Sequence, residues 1–262
     1  MGSFLNVVIH RVPRGESIIR PRSHCPHCQH QLAWYENIPL ASYLALRGRC
    51  RQCGGGISPR YFVVELFTGL VFAGLAGSFG LDPLFFKYAI FASLMIALTF
   101  IDLHHRLLPD ALTVPGMAAG LAFSVIVPVG DGVAARLAGL AGLDLAGRLL
   151  SPADALLGAV AGAGLLWFVG EAYWRLRRRE GLGFGDVKLM ALVGTFLGMK
   201  LTLLTIFLGS LAGSLIGGSF LLLTGKDSKY ELPFGTFLGL MALLAAFWGK
   251  EIVEWYLSSL AF

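Results

Sequence analysis

Residues 93–102, Ser93-Leu-Met-Ile-Ala-Leu-Thr-Phe-Ile-Asp102, decide how this chain must fold. Nine residues of unbroken apolar character, with two hydroxyls among them, end on a carboxylate. An acid at the end of such a run sits where hydrocarbon gives way to water, and acids in or near a bilayer call for a function. Working outward, comparable apolar runs lie near 61–80, 84–101, 111–129, 153–174, 187–199, 201–223 and 234–257. Most approach the ~20 residues a helix needs to cross the hydrocarbon. The run at 187–199 is short and reads as a helix entering from a glycine-rich loop.

Composition agrees. The 262 residues are 56% hydrophobic and only 14% charged, with 34 glycines and a mean hydropathy of +0.70. A soluble domain carries about a quarter charged residues, and small residues let membrane helices approach closely. The expected fold is an all-α polytopic membrane protein of about seven to eight transmembrane helices, with a cytoplasmic cysteine-rich zinc-binding loop. Three parts are expected: residues 1–12, resembling the last turns of a first transmembrane helix; the polar loop 13–60; and a membrane domain over 61–262.

The net charge of +5 does not indicate nucleic acid, because the basic residues sit in short loops beside apolar runs and build no aromatic-lined groove. If each run crosses once and 13–60 lies in the cytoplasm, sixteen Lys/Arg fall on that side. Only five, Lys87, Arg136, Arg148, Lys200 and Lys250, fall on the other. This is the asymmetry expected of cytoplasmic loops.

The same topology puts a second acid at the depth of Asp102. Asp186 closes Gly183-Phe-Gly185-Asp186, 84 residues further on. Two carboxylates held close share one proton, so one can activate a water while the other polarises a carbonyl. Gly183 and Gly185, lacking Cβ atoms, permit unusual backbone dihedrals and a close approach of substrate. Asp186 equally suits a helix N-cap before Val187. Asp110, after Pro109, reads as an N-cap. Glu65 and Glu171 read as packed, hydrogen-bonded acids, and His104 and His105 as interfacial.

The polar loop holds all four cysteines, as Cys25-Pro-His-Cys28 and Cys50-Arg-Gln-Cys53. Two such pairs suit tetrahedral zinc, and the reducing cytoplasm disfavours disulfides. His24, His27 and His30 crowd the first pair as solvated residues, any one of which could replace a thiolate.

Taken in order, Gly2-Ser-Phe-Leu-Asn-Val-Val-Ile-His-Arg11, the cysteine pairs, Glu36-Asn-Ile-Pro-Leu-Ala-Ser-Tyr43, Ile101-Asp102, Leu108-Pro109-Asp110, Gly183-Phe-Gly-Asp186-Val-Lys188 and Pro233-Phe-Gly235 resemble the bacterial type IV prepilin peptidases of the GxGD membrane aspartyl protease class. The resemblance spans nearly the whole chain. It implies a bacterial inner-membrane, multi-pass enzyme with its site facing the cytoplasm. Asp102 and Asp186 would be its catalytic pair, and prepilins and pseudopilins of type IV pilus or type II secretion systems its substrates. It also implies a full transmembrane helix of which residues 1–12 are a remnant, and N-methylation of the new amino terminus with S-adenosylmethionine as donor. No glycine-rich loop of a soluble methyltransferase is present, so the donor's contacts are not assigned. Peptidase activity without methylation, or a proton-coupled transporter, are the alternatives. The sequence does not reveal the number of subunits.

Overall fold

A computed structural model describes residues 1–142, 147–179, 181–224 and 232–259. Lys226 and Lys229, counted above with the cytoplasmic charges, lie outside the described residues. The described residues form helices joined by loops, and no sheet: α1 (Gly2–Arg11), α2 (Ala41–Ala45), α3 (Pro59–Phe79), α4 (Pro83–His105), α5 (Asp110–Ile126), α6 (Val133–Leu140), α7 (Gly147–Arg177), α8 (Phe184–Thr224) and α9 (Phe234–Ser259). Five of them, α3, α4, α7, α8 and α9, are long and apolar enough to cross a membrane, and α5 is a shorter apolar helix. The chain is a multi-pass membrane protein. It divides into two compact units, residues 1–80 and 81–262.

In the first unit, α1 packs along α3. Their backbones nearly touch: a Cβ on Gly2 would come within 2.8 Å of the Glu65 Cα. Asn6 donates its Nδ2 to the Tyr61 carbonyl at 3.0 Å. Ser58 starts α3 by accepting the Arg60 amide, with Pro59 in the first turn where its missing N–H costs nothing. The polar segment between these helices is built from short turns. Glu36 closes the turn Trp34–Asn37 by accepting the Ala33 amide at 2.8 Å.

In the second unit, α4 and α8 form the interior. Phe91, Met95, Ile96, Leu98 and Ile101 of α4 and Leu189, Met190, Leu192 and Phe196 of α8 are fully buried. Phe91 and Phe196 meet ring to ring at 5.1 Å. Large apolar side chains on α7, among them Val160, Trp167 and Phe168, are left exposed, as a lipid-facing surface requires.

The long helix α8 is two helices. At Gly198 the backbone leaves the helical region for φ 78°, ψ −178°, a conformation side chains oppose. Gly162 of α7 faces both Met190 and Thr202 at 2.6–2.8 Å from a Cβ built on it. Twelve residues of straight helix would hold those two about 18 Å apart, so the chain doubles back at Gly198. The runs expected at 187–199 and 201–223 are therefore two antiparallel arms. Asp131 secures the reversal by accepting the amides of Met199 at 2.7 Å and Lys200 at 3.3 Å, which start the second arm. The first arm meets α7 backbone to backbone, since a Cβ on Gly194 would fall 2.2 Å from the Gly158 carbonyl carbon.

Candidate active site and cysteine centre

The ends of α4, α5, α8 and α9 that converge away from Gly198 carry the candidate site. α4 stops because Arg106 turns left-handed at φ 51°, its amide closing on the Asp102 carbonyl at 2.8 Å. Residues 106–109 then cross to α5. Asp102 and Asp186 line one cavity of about 500 Å³ with Arg106, Leu108, Asp110 and Lys188. Both aspartates are buried, at 5% and 8% exposure. The acids that the topology put at one depth thus share one chamber within the second unit.

Leu108 sets the spacing. Its side chain would lie 3.0 Å from a Cβ on Gly185 and 3.0 Å from one on Gly235, so it wedges between the two glycines that flank the aspartates' supports. Gly185 therefore serves a close approach. Neither Gly183 nor Gly185 has a positive φ, so the left-handed conformations that a missing Cβ permits are not used in this loop. Asp186 is the third residue of α8, its amide closing on the Gly183 carbonyl at 3.0 Å.

Two residues were missed as site residues. Thr236, in the first turn of α9, donates its amide (2.6 Å) and hydroxyl (2.8 Å) to Asp102 Oδ2. Lys188 donates to Asp110 at 2.6 Å. Pro109, not Asp110, precedes the first turn of α5, which frees the Asp110 carboxylate for that pairing. A hydroxyl opening an apolar helix just after Pro-Phe-Gly was the available signal for Thr236. Among the described residues His104 and His105 are absent from the cavity lining; the His104 ring meets the Phe100 carbonyl at 2.8 Å. Glu65 accepts the Leu40 amide at 2.9 Å, and Glu171 pairs with Arg175 on the surface of α7.

In the first unit the four cysteines meet. Cys25 and Cys53 have their sulfurs 3.9 Å apart, as do Cys28 and Cys50, and all four lie within 4.8 Å of one another. These distances exceed a disulfide bond and match the edges of a tetrahedron with metal–sulfur bonds of about 2.3 Å. The two turns are built alike. Each first cysteine accepts the amide four residues on, Gln29 to Cys25 and Gly54 to Cys50, both at 2.9 Å, and donates to the carbonyl five residues on. Gln29 and Gly54 both take a positive φ to allow it. The four thiols titrate as a group: the amides of Cys53 and Gln52 bring Cys50 down to about 6, while, against the His30 amide, burial and the neighbouring sulfurs push Cys28 up to about 12. The cluster can hold a metal ion. No histidine joins it among the described residues; His30 instead pairs with Glu36 at 3.4 Å.

The first unit also encloses a cavity of about 640 Å³, lined among others by Asn6, His10, Glu36, Tyr43, Arg60 and Glu65. Asn6 is 1% exposed, and among the described residues its Oδ1 has no hydrogen-bond partner. An orphan acceptor at a cavity wall is open to a donor from water or from a ligand.

Residues 1–79 match the model of the bacterial peptidase A24 N-terminal domain, and residues 89–218 that of the type IV leader peptidase family. A prepilin leader peptidase/N-methyltransferase of Aeromonas hydrophila is 36% identical over 283 aligned positions, covering 99% of this chain and 91% of the relative. One of Myxococcus xanthus is 45% identical, over 86% of this chain and 62% of the relative, and one of Pseudomonas aeruginosa is 34% identical, over 100% and 91%. No solved structure matches the chain. Two family models in succession, and relatives alike along almost its whole length, make the chain a member of the type IV leader peptidase family.

Proposed function

We propose that this enzyme cleaves the leader of prepilins and pseudopilins at the cytoplasmic face of the bacterial inner membrane, using Asp102 and Asp186 as paired acid and base, and then methylates the new amino terminus. The observation that carries the reading is the meeting of two buried aspartates, 84 residues apart in sequence, in one cavity of about 500 Å³. A chamber of that size takes an extended peptide segment and a water. Two carboxylates in it supply a general base for the water and a proton for the scissile carbonyl. The excess of Lys/Arg on the site side supports the cytoplasmic orientation.

Zinc is the metal best suited to the four cysteines, which would close its coordination and make it structural. It would brace the polar loop against α1 and α3. The methyl donor's place we assign to the cavity of the first unit. S-Adenosylmethionine, when bound, supplies an electrophilic methyl group. Asn6 Oδ1 and the carboxylates of Glu36 and Glu65 are the groups there that would hold and orient a cationic ligand.

Co-expression with a prepilin, followed by mass measurement of its amino terminus, tests both halves. Loss of the leader reports the peptidase, and an added methyl the transferase. Asp102→Asn and Asp186→Asn should each abolish cleavage while the protein still inserts; full processing by either variant refutes the pair. A processed but unmethylated product would leave a peptidase alone.

A further inference from the structure

The two aspartates are not held alike. Asp102 Oδ2 accepts two donors from one residue, the amide and the hydroxyl of Thr236, across 134 positions of sequence. Thr236 is 7% exposed and lies at the start of α9, where first-turn amides lack helical partners and the helix dipole is positive. Gly235 brings this backbone against the acid: a Cβ there would lie 3.1 Å from the Asp102 Cγ. The Asp186 carboxylate stays against its own loop, with Oδ2 3.5 Å from a Cβ built on Gly183, and among the described residues no side chain donates to it. Donors on a carboxylate favour its charged form, and those at Asp102 are the stronger set.

We propose that Thr236 is a positioning residue that fixes Asp102 as the ionised member of the pair and leaves Asp186 to carry the shared proton. The inference rests on the reading of these aspartates as catalytic. With Oδ2 held by Thr236, Oδ1 is the oxygen that meets water. Oδ1 takes a proton as the water oxygen bonds to the scissile carbonyl carbon, and the proton on Asp186 passes to the carbonyl oxygen, giving a tetrahedral diol. The C–N bond then breaks. The proton on Asp102 moves to the leaving amine, one hydroxyl proton returns to Asp186, and both acids end as they began. The Thr236 hydroxyl also lies 3.4 Å from the Thr99 carbonyl, an alternative acceptor when Asp102 is transiently protonated.

The test compares kcat and KM of the purified full chain on a prepilin for wild type, Thr236→Val, Thr236→Ser and Asp102→Asn. A hydrogen bond to a charged group is worth enough that Thr236→Val should lose ~10- to 100-fold in kcat with KM changed by less than ~2-fold. Thr236→Ser, which keeps the hydroxyl, should stay within ~3-fold of wild type. Thr236→Val at wild-type rate beside an inactive Asp102→Asn overturns the proposal and spares the catalytic pair. An active Asp102→Asn overturns the pair itself. Equal losses in the Val and Ser variants show a packing role and overturn the proposal. If Thr236→Val fails to fold by thermal melting, Thr236→Ala is read in its place: the same kcat loss supports the proposal and a wild-type rate overturns it.

Discussion

The Lys188 ammonium meets the Asp110 carboxylate at 2.6 Å, tying the second turn of α8 to the first turn of α5 across 78 residues. Both line the chamber: Asp110 opens the helix that follows Asp102, and Lys188 lies two residues beyond Asp186 on α8. The pair therefore acts as a strut between the two halves of the site.

Because both side chains are partly exposed, at 28% and 63%, the pair should contribute less than about 1 kcal/mol to stability. Its effect should fall on rate instead. Lys188→Met is expected to leave the thermal midpoint nearly unchanged while cleavage falls roughly ten-fold, since small displacements of reacting groups cost heavily. The exchanged double variant, Asp110→Lys with Lys188→Asp, should recover much of it. A single variant with an unaltered cleavage rate would show that the strut is dispensable.

Gly198 is where α8 reverses. Gly198→Ala would force a side chain into φ 78°, with Val129 and Asp131 at 2.7 and 3.0 Å from the new Cβ. The backbone strain alone is of the order of 1–3 kcal/mol. We expect a clear fall in thermal midpoint in detergent, and a larger one for Gly198→Val. Unchanged melting of both would contradict the hairpin.

The sulfur cluster predicts one zinc per chain by elemental analysis of purified protein. Any single Cys→Ser variant should lose most of it, and a strong chelator should expose four titratable thiols where the holo-protein exposes few. Protein purified with intact cysteines and no bound metal would refute the assignment.

Glu36 offers a pH test. The Ala33 amide, then His30 and Arg51, hold its carboxyl below the usual carboxylate range near 4.5. A carboxyl with a depressed folded-state pKa stabilises the fold above its unfolded value, and the contribution is lost as pH falls through the folded one. Glu36→Gln should therefore lower the thermal midpoint at neutral pH, with the gap from wild type closing below about 4.5. A gap that is constant across this range would exclude the charge as its cause.

Much of this molecule was legible before folding. Apolar runs of membrane length have one stable solution, because backbone groups in lipid must bond within the helix. The run ending at Asp102 and the loop ending at Asp186 could thus be set at one depth by counting crossings. The two Cys-x-x-Cys turns were legible because their bonds are local: the amides that close on Cys25 and Cys50 come from four residues away.

What the sequence could not decide was which side chains cross between helices. Depth follows from hydropathy along one dimension, whereas azimuth around each helix follows from packing against neighbours. Tertiary structure alone put Thr236 on Asp102, paired Lys188 with Asp110 and wedged Leu108 between Gly185 and Gly235. It also showed that Gly198 reverses α8 with Asp131 capping the second arm. Each of these contacts joins residues separated by 50 or more positions, and no local propensity encodes the angle at which two helices meet.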